Sequence, residues 1–398
     1  MNRRFFATIL VIAVIALCLS TAEAANVTIR VLDVGQGDAI LITLPTGKSV
    51  LVDGSEIKYG RNVIVPTLKR LGITELEKVI LTHPHSDHLG GLIPVLENIS
   101  VKEVWDTTSY TTMTYKKFRK IIRENNIPRR EVFRGETETW GGGVTVSVLN
   151  PKKRVPGEPL DFPVIEGNPD LEDDELRSAV NNSSIVFRLT FGNTSILLTG
   201  DAEKSAEREM LANGLTLRAQ VLKAGHHGSS TSTSNDFLYA VKPEIAVISL
   251  GEDNNYGHPA STTLNKLERI KAAVYQTDLL GTIVLNSDGS GFTVQSENRE
   301  IEYLLDRIGS GEQGLEEKVS TIISHSVRTG YLRKVDLFIT YCEAHRNVVK
   351  RYTVILKDLA TALRVAHLEI QPASDLENPF LPRLKKICRV EILQSMPW

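Results

Sequence analysis

The 398-residue chain has little cysteine, few aromatic side chains and almost no excess charge. Its three cysteines, Cys18, Cys342 and Cys388, form no C-x-x-C pair, which argues against a cysteine-rich zinc site and a disulfide-dense scaffold. A total of 46 basic against 48 acidic residues leaves a formal net charge of -2. The chain as a whole therefore has no electrostatic preference for nucleic acid, and any such preference must be local. An apolar content of 41% with 24% charged residues excludes wholesale disorder.

Long hydrophobic runs are also missing beyond the N-terminus. Arg3 and Arg4 precede an apolar run from Phe5 to Leu19, which is shorter than the roughly 20 residues that cross a bilayer comfortably. Ala22 and Ala24 then form an A-x-A cleavage site. This order predicts a signal peptide and a secreted or extracytoplasmic protein with no stable membrane span after cleavage. The alternative is an uncleaved N-terminal anchor.

Short β-branched runs alternate with amphipathic stretches between Val27 and about Phe292. Runs such as Ser49–Val52 read as strands and Thr262–Lys271 reads as a helix, so the pattern predicts an α/β protein with mixed sheets and helices outside. Beyond Glu300 the apolar positions from Val348 to Leu363 recur at 3.6-residue spacing, which predicts a helix. The expected organisation is a signal peptide (1–24), a main α/β domain (26–300) and a partly helical extension of unknown role (301–398). The proline-rich stretch Pro151–Asp174 reads as an inserted loop.

Histidines concentrate at one strand end. The apolar run Val79–Leu81 is followed by a segment containing His83, His85, Asp87 and His88. Side chains repeat with period 2 along a strand, so His83 and His85 point the same way, while the other two lie on the following turn. Imidazoles and a carboxylate at this density suit Zn²⁺ or a similar divalent ion. The alternative is a polar turn that is rich in histidine by accident.

Two further strand ends carry candidate ligands. Asp201 follows the apolar run Ile196–Leu198 and is either a metal ligand or a plain helix N-cap. His226 and His227 follow the run Val221–Lys223 and are either ligands or a solvated pair.

The order H-x-H-x-D-H, then G-D, then a strand-end His resembles the metallo-β-lactamase fold, a four-layer αββα sandwich with a dinuclear metal site at one edge. Within that fold, a set of motifs between about Val27 and Val294 resembles the hydrolase domain of the ComEC DNA-uptake family. The motifs are Leu32–Ala39, Asn181–Ser184, His226–Ser229, Tyr256–Pro259 and Thr277-Asp278. The polytopic channel of full-length members has no counterpart after the signal segment.

The resemblance implies a role for each matching residue. His83 and His85 would bind a first divalent ion and Asp87 and His88 a second, with Asp201 bridging the two. His226, favoured over His227, would complete the second ion's ligands. Asp53, His227 and Asn182 would support the ligands from behind. One departure is that no His occurs between His88 and Asp201, where Asn181–Ser184 stands instead. The first ion is thus expected to be held less tightly, the metal to be Zn or Mn, and occupancy by two ions to be uncertain.

The expected activity is hydrolysis by a metal-bound hydroxide, with Asp87 and His258 as catalytic groups. The favoured substrate is DNA or another phosphodiester, because Lys116–Arg134 is a basic strip in an otherwise acidic domain. Alternatives are a hydrolase of a carbonyl substrate (lactone, thioester or β-lactam) and a non-catalytic binding module. The strip also reads as a solvated amphipathic helix. The candidate substrate contacts are Gln36, Asp38, Ser229, Lys116, Lys117 and Lys120.

Overall fold

A computed structural model describes residues 26–107, 112–153, 174–252 and 254–297, and the backbone of two later strands. The strands, β1 to β19 in chain order, are Val27–Val31, Ile40–Thr43, Ser49–Val52, Glu75–Leu76, Lys78–Ile80, Ser100–Val101, Val104–Trp105, Arg129–Arg130, Thr137–Gly141, Val144–Asn150, Val186–Phe191, Thr194–Leu198, Val221–Lys223, Ile245–Ile248, Ala273–Gln276, Thr282–Ser287, Phe292–Glu297, Leu337–His345 and Val348–Leu356. The helices, α1 to α10, are Ile57–Tyr59, Val65–Arg70, Ser86–Leu89, Leu92–Asn98, Met113–Glu124, Asp174–Asn182, Lys204–Ala212, Asn235–Val241, Ser261–Arg269 and Thr277–Leu280. A π-helical turn, Gly60–Ile64, separates α1 from α2, and a 3-10 turn, Gly225–Gly228, follows β13.

Most of these strands form two mixed sheets. The first has the order β17-β16-β1-β2-β3-β5-β7-β8 and the second β15-β14-β13-β12-β11-β10-β9. The antiparallel strands arise from hairpins such as β1–β2 and β11–β12, whereas β3, β5, β7 and β8 and also β12 to β15 run parallel. Parallel neighbours need crossover connections, and helices such as α2, α7 and α8 provide them.

Three apolar clusters separate four layers. Ile29 of the first sheet and Phe187 of the second belong to one cluster between the sheets. A second cluster joins the first sheet to α2, α4 and α5 through residues such as Leu92, and a third joins the second sheet to α7, α8 and α9 through residues such as Met210. Val186 and Phe187 are consecutive yet face different clusters, because side chains alternate along a strand. The four-layer αββα sandwich expected from the sequence is confirmed.

One secondary-structure expectation is wrong. The helix expected from Val348 to Leu363 is, over Val348–Leu356, an antiparallel strand paired with Leu337–His345. The physical reason is that Val348, Val349 and Val354 are β-branched and favour extended backbone. The helix prediction used only the 3.6-residue spacing of apolar positions and did not take β-branching into account. The signal segment and most of the proline-rich stretch lie outside the described residues. Across the part of the chain that the structure describes, no helix combines the length and apolarity that a bilayer span requires.

Candidate metal centre

The carboxyl ends of parallel strands bring the candidate ligands to one edge. Asp53 follows β3 and His83 follows β5 in the first sheet, whereas Asp201 follows β12 and His227 follows β13 in the second. Parallel strands end on the same side of a sheet, which is why open α/β sheets place their ligand sites there. The two sheets also come very close at this edge. Gly200 has a φ of +50°, and a Cβ added to it would lie 3.0 Å from side-chain atoms of Thr82. Glycine before Asp201 therefore permits the left-handed backbone and the close approach.

Imidazole nitrogens and carboxylate oxygens converge around Asp201. Its Oδ2 lies 3.3 Å from His88 Nε2, 3.4 Å from His227 Nε2 and 3.9 Å from His83 Nε2. Asp87 Oδ2 lies 3.4 Å from His227 Nε2 on the other side. Four overlapping groups of possible ligands lie here among the described residues, and in each the ligand atoms lie within 4.8 Å of one another. Two of them matter most for the site, one of His83, His88 and Asp201 and one of Asp87, His88 and His227.

Partners behind the rings aim the lone pairs inward. His88 Nδ1 lies 2.8 Å from Asp53 Oδ2, and His227 Nδ1 lies 2.9 Å from the carbonyl oxygen of Ser249. Since a carboxylate and a carbonyl only accept hydrogen bonds, each Nδ1 carries a proton, and Nε2 is the nitrogen that can bind a cation once its own proton is lost. Asp53 also accepts from the Thr82 N–H at 2.8 Å, which anchors it between two strand ends. Asp53 therefore holds the ring of His88 from the side away from the cluster.

His83 is oriented by hydroxyls. Thr82 Oγ1 donates to Asp53 Oδ2 at 2.7 Å and so is left to accept from His83 Nδ1, 3.1 Å away. Ser184 Oγ lies 3.3 Å from the same nitrogen and accepts from the Asp201 N–H at 3.1 Å. Ser184 belongs to the segment Asn181–Ser184, so a hydroxyl that orients His83 lies in the stretch between His88 and Asp201 that contains no His. The half-buried His85 contacts the same ring, with its Nδ1 3.0 Å from His83 Nε2.

The electrostatics of the cluster are those of a cation site. Burial alone would lower the pKa of His88 and His227, but Asp201 and the neighbouring carboxylates hold both pKa values well above the usual range. Conversely, burial would raise the pKa of Asp201, but His227, His88 and His226 keep it well below its usual range. In the absence of a metal, protons on imidazole balance the buried carboxylates.

The donor set fits a divalent cation. Neutral Nε2 atoms and carboxylate oxygens are ligands that Zn²⁺ and Mn²⁺ accept. In addition, Asp201 Oδ1 is buried without a hydrogen-bond partner, which is costly for a carboxylate oxygen unless a cation or another donor satisfies it. These residues therefore suit one or two divalent ions.

Metal binding is expected to release protons at neutral pH. The raised pKa values of His88 and His227 mean that a cation must displace protons from them, so its apparent affinity increases as the pH rises above the ordinary histidine value of 6.5. Calorimetric titration with Mn²⁺ or Zn²⁺ in two buffers of different ionisation enthalpy measures the protons released. Asp53→Asn removes one of the carboxylates that raise the pKa of His88 and should release fewer. Equal heats in both buffers for the wild-type protein at neutral pH would contradict this expectation.

The two consecutive histidines lie differently from what the sequence suggested. His227 is 1% exposed and contacts Asp87, His88 and Asp201, whereas His226 Nε2 lies 3.9 Å from Asp201. His226 Nδ1 instead lies 3.1 Å from Glu203 Oε1. The reason is local: both residues adopt left-handed backbone, with φ of 48° and 52°, so strand alternation does not govern where their rings point. The geometry favours His227 over His226 as the ligand.

Asp38 lies beneath the site and not at its mouth. It is 1% exposed, and its Oδ2 lies 2.6 Å from Nζ of Lys223, which is equally buried. Lys223 also donates to the carbonyl of Gly200 at 3.2 Å and lies 3.9 Å from Asp201 Oδ1. Burial would raise the pKa of Asp38, but Lys223 and then His227 hold it below its usual value. The sequence analysis missed Lys223, although a lysine that ends an apolar strand two residues before Gly225-His226-His227 was a usable signal.

Other expected substrate or supporting residues are differently placed. Ser229 is 4% exposed, and its Oγ accepts from the Thr231 N–H within its own turn, so it is not on a substrate surface. Asn182 Oδ1 accepts from the backbone N–H groups of Glu203 and Ala206 and so caps α7, the helix after Asp201, instead of touching a ligand. Gln36 is half-buried, and its Oε1 has no hydrogen-bond partner.

His258 lies beside the cluster on the α8–α9 side. Its ring centroid is 5.5 Å from that of His226. Burial, followed by the charges of His226 and His227, lowers the pKa of His258 to about 4. The imidazole is therefore neutral at pH 7, which argues against its protonating a leaving oxygen as an imidazolium and leaves it able to donate an N–H to a phosphate oxygen.

The basic strip divides into two parts. Three of its arginines pair with acids: Arg129 with Asp106 at 2.8 Å, Arg130 with Glu136 at 2.6 Å and Arg134 with Glu209 at 2.9 Å. The exposed lysines lie on α5, where Lys117 pairs with Glu97 at 3.2 Å and Lys120 with Glu124 at 3.6 Å, and Lys116 lies on the same helix.

Residues 32–252 match the Metallo-beta-lactamase superfamily, and the chain belongs to it. The class of protein is thereby a metal-dependent hydrolase, in agreement with the convergent donor set at the sheet edge. Within the superfamily its relatives are ComEC-family competence proteins. ComE operon protein 3 of Bacillus subtilis (strain 168) is 32% identical over 293 residues, which is 69% of this chain and 34% of that protein. Recombination protein 2 of Haemophilus influenzae is 34% identical over 259 residues, 64% of this chain and 28% of that protein.

The chain thus spans about a third of the length of these curated relatives. Among solved structures, a diphosphatase of the PhnP family is similar with a TM-score of 0.34 and 15% identity, covering 56% of this chain and 85% of that one.

Proposed function

We propose that the protein is an exported phosphodiesterase that cleaves DNA with two divalent ions, Zn or Mn, as cofactors. The convergence of His83, Asp87, His88, Asp201 and His227 at one sheet edge carries the hydrolytic part of this proposal. Relatives named for competence and recombination support a nucleic-acid substrate. Export is proposed from residues 1–24, and the hydrolase domain is proposed to span residues 26–300.

The chain's own residues divide the chemical work. Divalent ions bound here supply Lewis acidity and lower the pKa of a bound water to about 7. His83, His88 and His227 would bind a cation through Nε2, and the Oδ2 atom of Asp201 lies within 3.9 Å of all three of these nitrogens. The side chain of Asp87 is 26% exposed, so it is the carboxylate of the set that faces solvent and is placed to orient the attacking water. The neutral His258 is placed to hold a phosphate oxygen through an N–H.

The lysines of α5 are proposed to contact the phosphate backbone. Exposed ion pairs contribute only about 0–1 kcal/mol, so Lys117 and Lys120 can exchange Glu97 and Glu124 for phosphates at little cost. Lys116 is exposed on the same helix. Arg129 and Arg134 are excluded from this role, because their side chains are only 17% and 10% exposed.

The test is a substrate panel for the purified protein. We expect hydrolysis of single-stranded DNA and of bis(p-nitrophenyl) phosphate with added Mn²⁺ or Zn²⁺, none of a simple lactone, and loss of turnover in EDTA. Asp87→Asn should turn over neither phosphodiester, which assigns the activity to this site. Turnover of the lactone without either phosphodiester would overturn the proposal in favour of a carbonyl hydrolase.

The lysine face provides the substrate control. The triple change Lys116→Glu, Lys117→Glu and Lys120→Glu should reduce kcat/KM on DNA and leave that on bis(p-nitrophenyl) phosphate unchanged. It should also flatten the dependence of log affinity on log salt, by up to roughly 0.7 for each phosphate that a lysine no longer neutralises. An unchanged salt slope would remove these lysines from the DNA path.

A further inference from the structure

Aromatic rings lead from the metal centre to the surface. Tyr256 is 69% exposed and stacks on His258, with ring centroids 5.8 Å apart and planes inclined by 20°. His258 in turn meets His226 edge-on, with centroids 5.5 Å apart, and His226 Nε2 is 3.9 Å from Asp201 Oδ2. Tyr256 is thus connected through His258 to His226, whose side chain lies beside the metal cluster.

The loop that carries these rings is held in place. Asn254 Nδ2 donates to the carbonyl of His258 at 2.8 Å, and Asn254 Oδ1 accepts from the His258 N–H at 2.9 Å. Just beyond, the Ala260 N–H donates to the carbonyl of Gly228 at 3.0 Å, which joins the loop to the turn that carries His226 and His227. Because the rings are positioned before a ligand arrives, little ordering opposes binding to them.

Tyr256 gains little from packing. A tyrosine ring offers a large apolar surface, and leaving most of it in water forgoes the stabilisation that burial would give. An exposed aromatic side chain on a fixed loop at a catalytic edge is instead typical of a surface that stacks on a planar ligand.

We propose that Tyr256, supported by His258, is a stacking platform for an unpaired nucleobase of a DNA strand whose phosphodiester lies at the metal centre. This inference rests on the proposed function and adds a selectivity to it. In a duplex both faces of a base are covered by its neighbours, whereas a single strand can turn one base onto the ring. The platform therefore favours single-stranded over double-stranded substrate.

The experiment compares Tyr256→Ala and Tyr256→Phe with the wild-type protein. A fluorescein-labelled oligothymidine, alone or annealed to its complement, is titrated by anisotropy in EDTA, and kcat/KM on the same strand is measured with Mn²⁺. Tyr239→Ala is the matched control, because Tyr239 is 60% exposed and lies elsewhere, on α8. Thermal melting of each variant checks that it is folded.

Tyr256→Ala is expected to weaken single-strand binding on the order of tenfold and to leave duplex binding unchanged. Tyr256→Phe keeps the ring and, like Tyr239→Ala, should bind as the wild type does. The proposal of a platform is overturned by any of three results. Tyr256→Ala binds the single strand with wild-type affinity, its affinity for the duplex falls as much as that for the single strand, or the wild-type protein binds no single strand. If Tyr256→Ala weakens binding of the single strand alone but the wild-type protein cleaves no DNA, only the proposed function is contradicted. Cleavage by a Tyr256→Ala protein of normal affinity would contradict only the platform.

Discussion

Asp201→Asn is expected to abolish measurable hydrolysis, with kcat reduced by more than about 100-fold. Residues that merely orient a ligand contribute roughly 10- to 100-fold, and Asp201 Oδ2 lies within 3.9 Å of Nε2 of His83, His88 and His227. The asparagine keeps the shape but removes the negative charge that holds cations between the two groups of ligands. The measurements are kcat on bis(p-nitrophenyl) phosphate and metal content after dialysis.

Asp236→Asn is the matched control for this change. Asp236 is exposed on α8, so the same loss of a carboxylate should leave both activity and metal content at wild-type values. Circular dichroism of the Asp201→Asn protein separates a lost site from a lost fold. A folded variant with normal metal content and turnover would contradict the role of Asp201 and, with it, the proposed site.

Lys223→Met is expected to lower the free energy of unfolding by about 3–5 kcal/mol. Methionine fills much of the volume of the lysine stem but leaves Asp38, which is 1% exposed, without its cation at 2.6 Å. Asp201 loses a positive neighbour at 3.9 Å as well. Urea denaturation in EDTA measures the effect without a contribution from bound metal.

Two further variants identify the cause. Adding Asp38→Asn to Lys223→Met removes the stranded charge and should recover part of the lost stability. Lys48→Met provides the comparison with an exposed pair, because Lys48 contacts Glu77 at 3.0 Å with its side chain 49% exposed, and it should cost no more than about 1 kcal/mol. Equal costs for Lys223→Met and Lys48→Met would show that the buried pair is not the support inferred from the structure.

The strand ends that carry the candidate ligands could be predicted from the sequence because each follows an apolar run. His83 comes after Lys78–Ile80 and Asp201 after Thr194–Leu198, and both lie at the expected edge. The choice between His226 and His227 could not be predicted. It depends on two consecutive left-handed residues, a conformation that hydrophobic periodicity does not report.

The buried ion pair between Asp38 and Lys223 could not be predicted from the sequence either. Asp38 is a polar residue in a Gly-rich turn and Lys223 a lysine at a strand end, and each alone is typical of an exposed position. Only the stacking of the two sheets buries them against each other. At the C-terminus, Val348–Leu356 satisfied a helical spacing while its β-branched content favoured the strand that forms.

His83 and His88 follow β5 of the first sheet, whereas Asp201 and His227 follow β12 and β13 of the second. A cation bound by all four would therefore link the two sheets. Sliding of one sheet over the other would pull its ligands apart, so retention of the ion reports on the alignment of the whole interior. The folded state then gains free energy with rising concentration of free metal, by RT ln(1 + [metal]/Kd). The free energy of unfolding and the hydrolytic activity consequently both depend on the concentration of free metal.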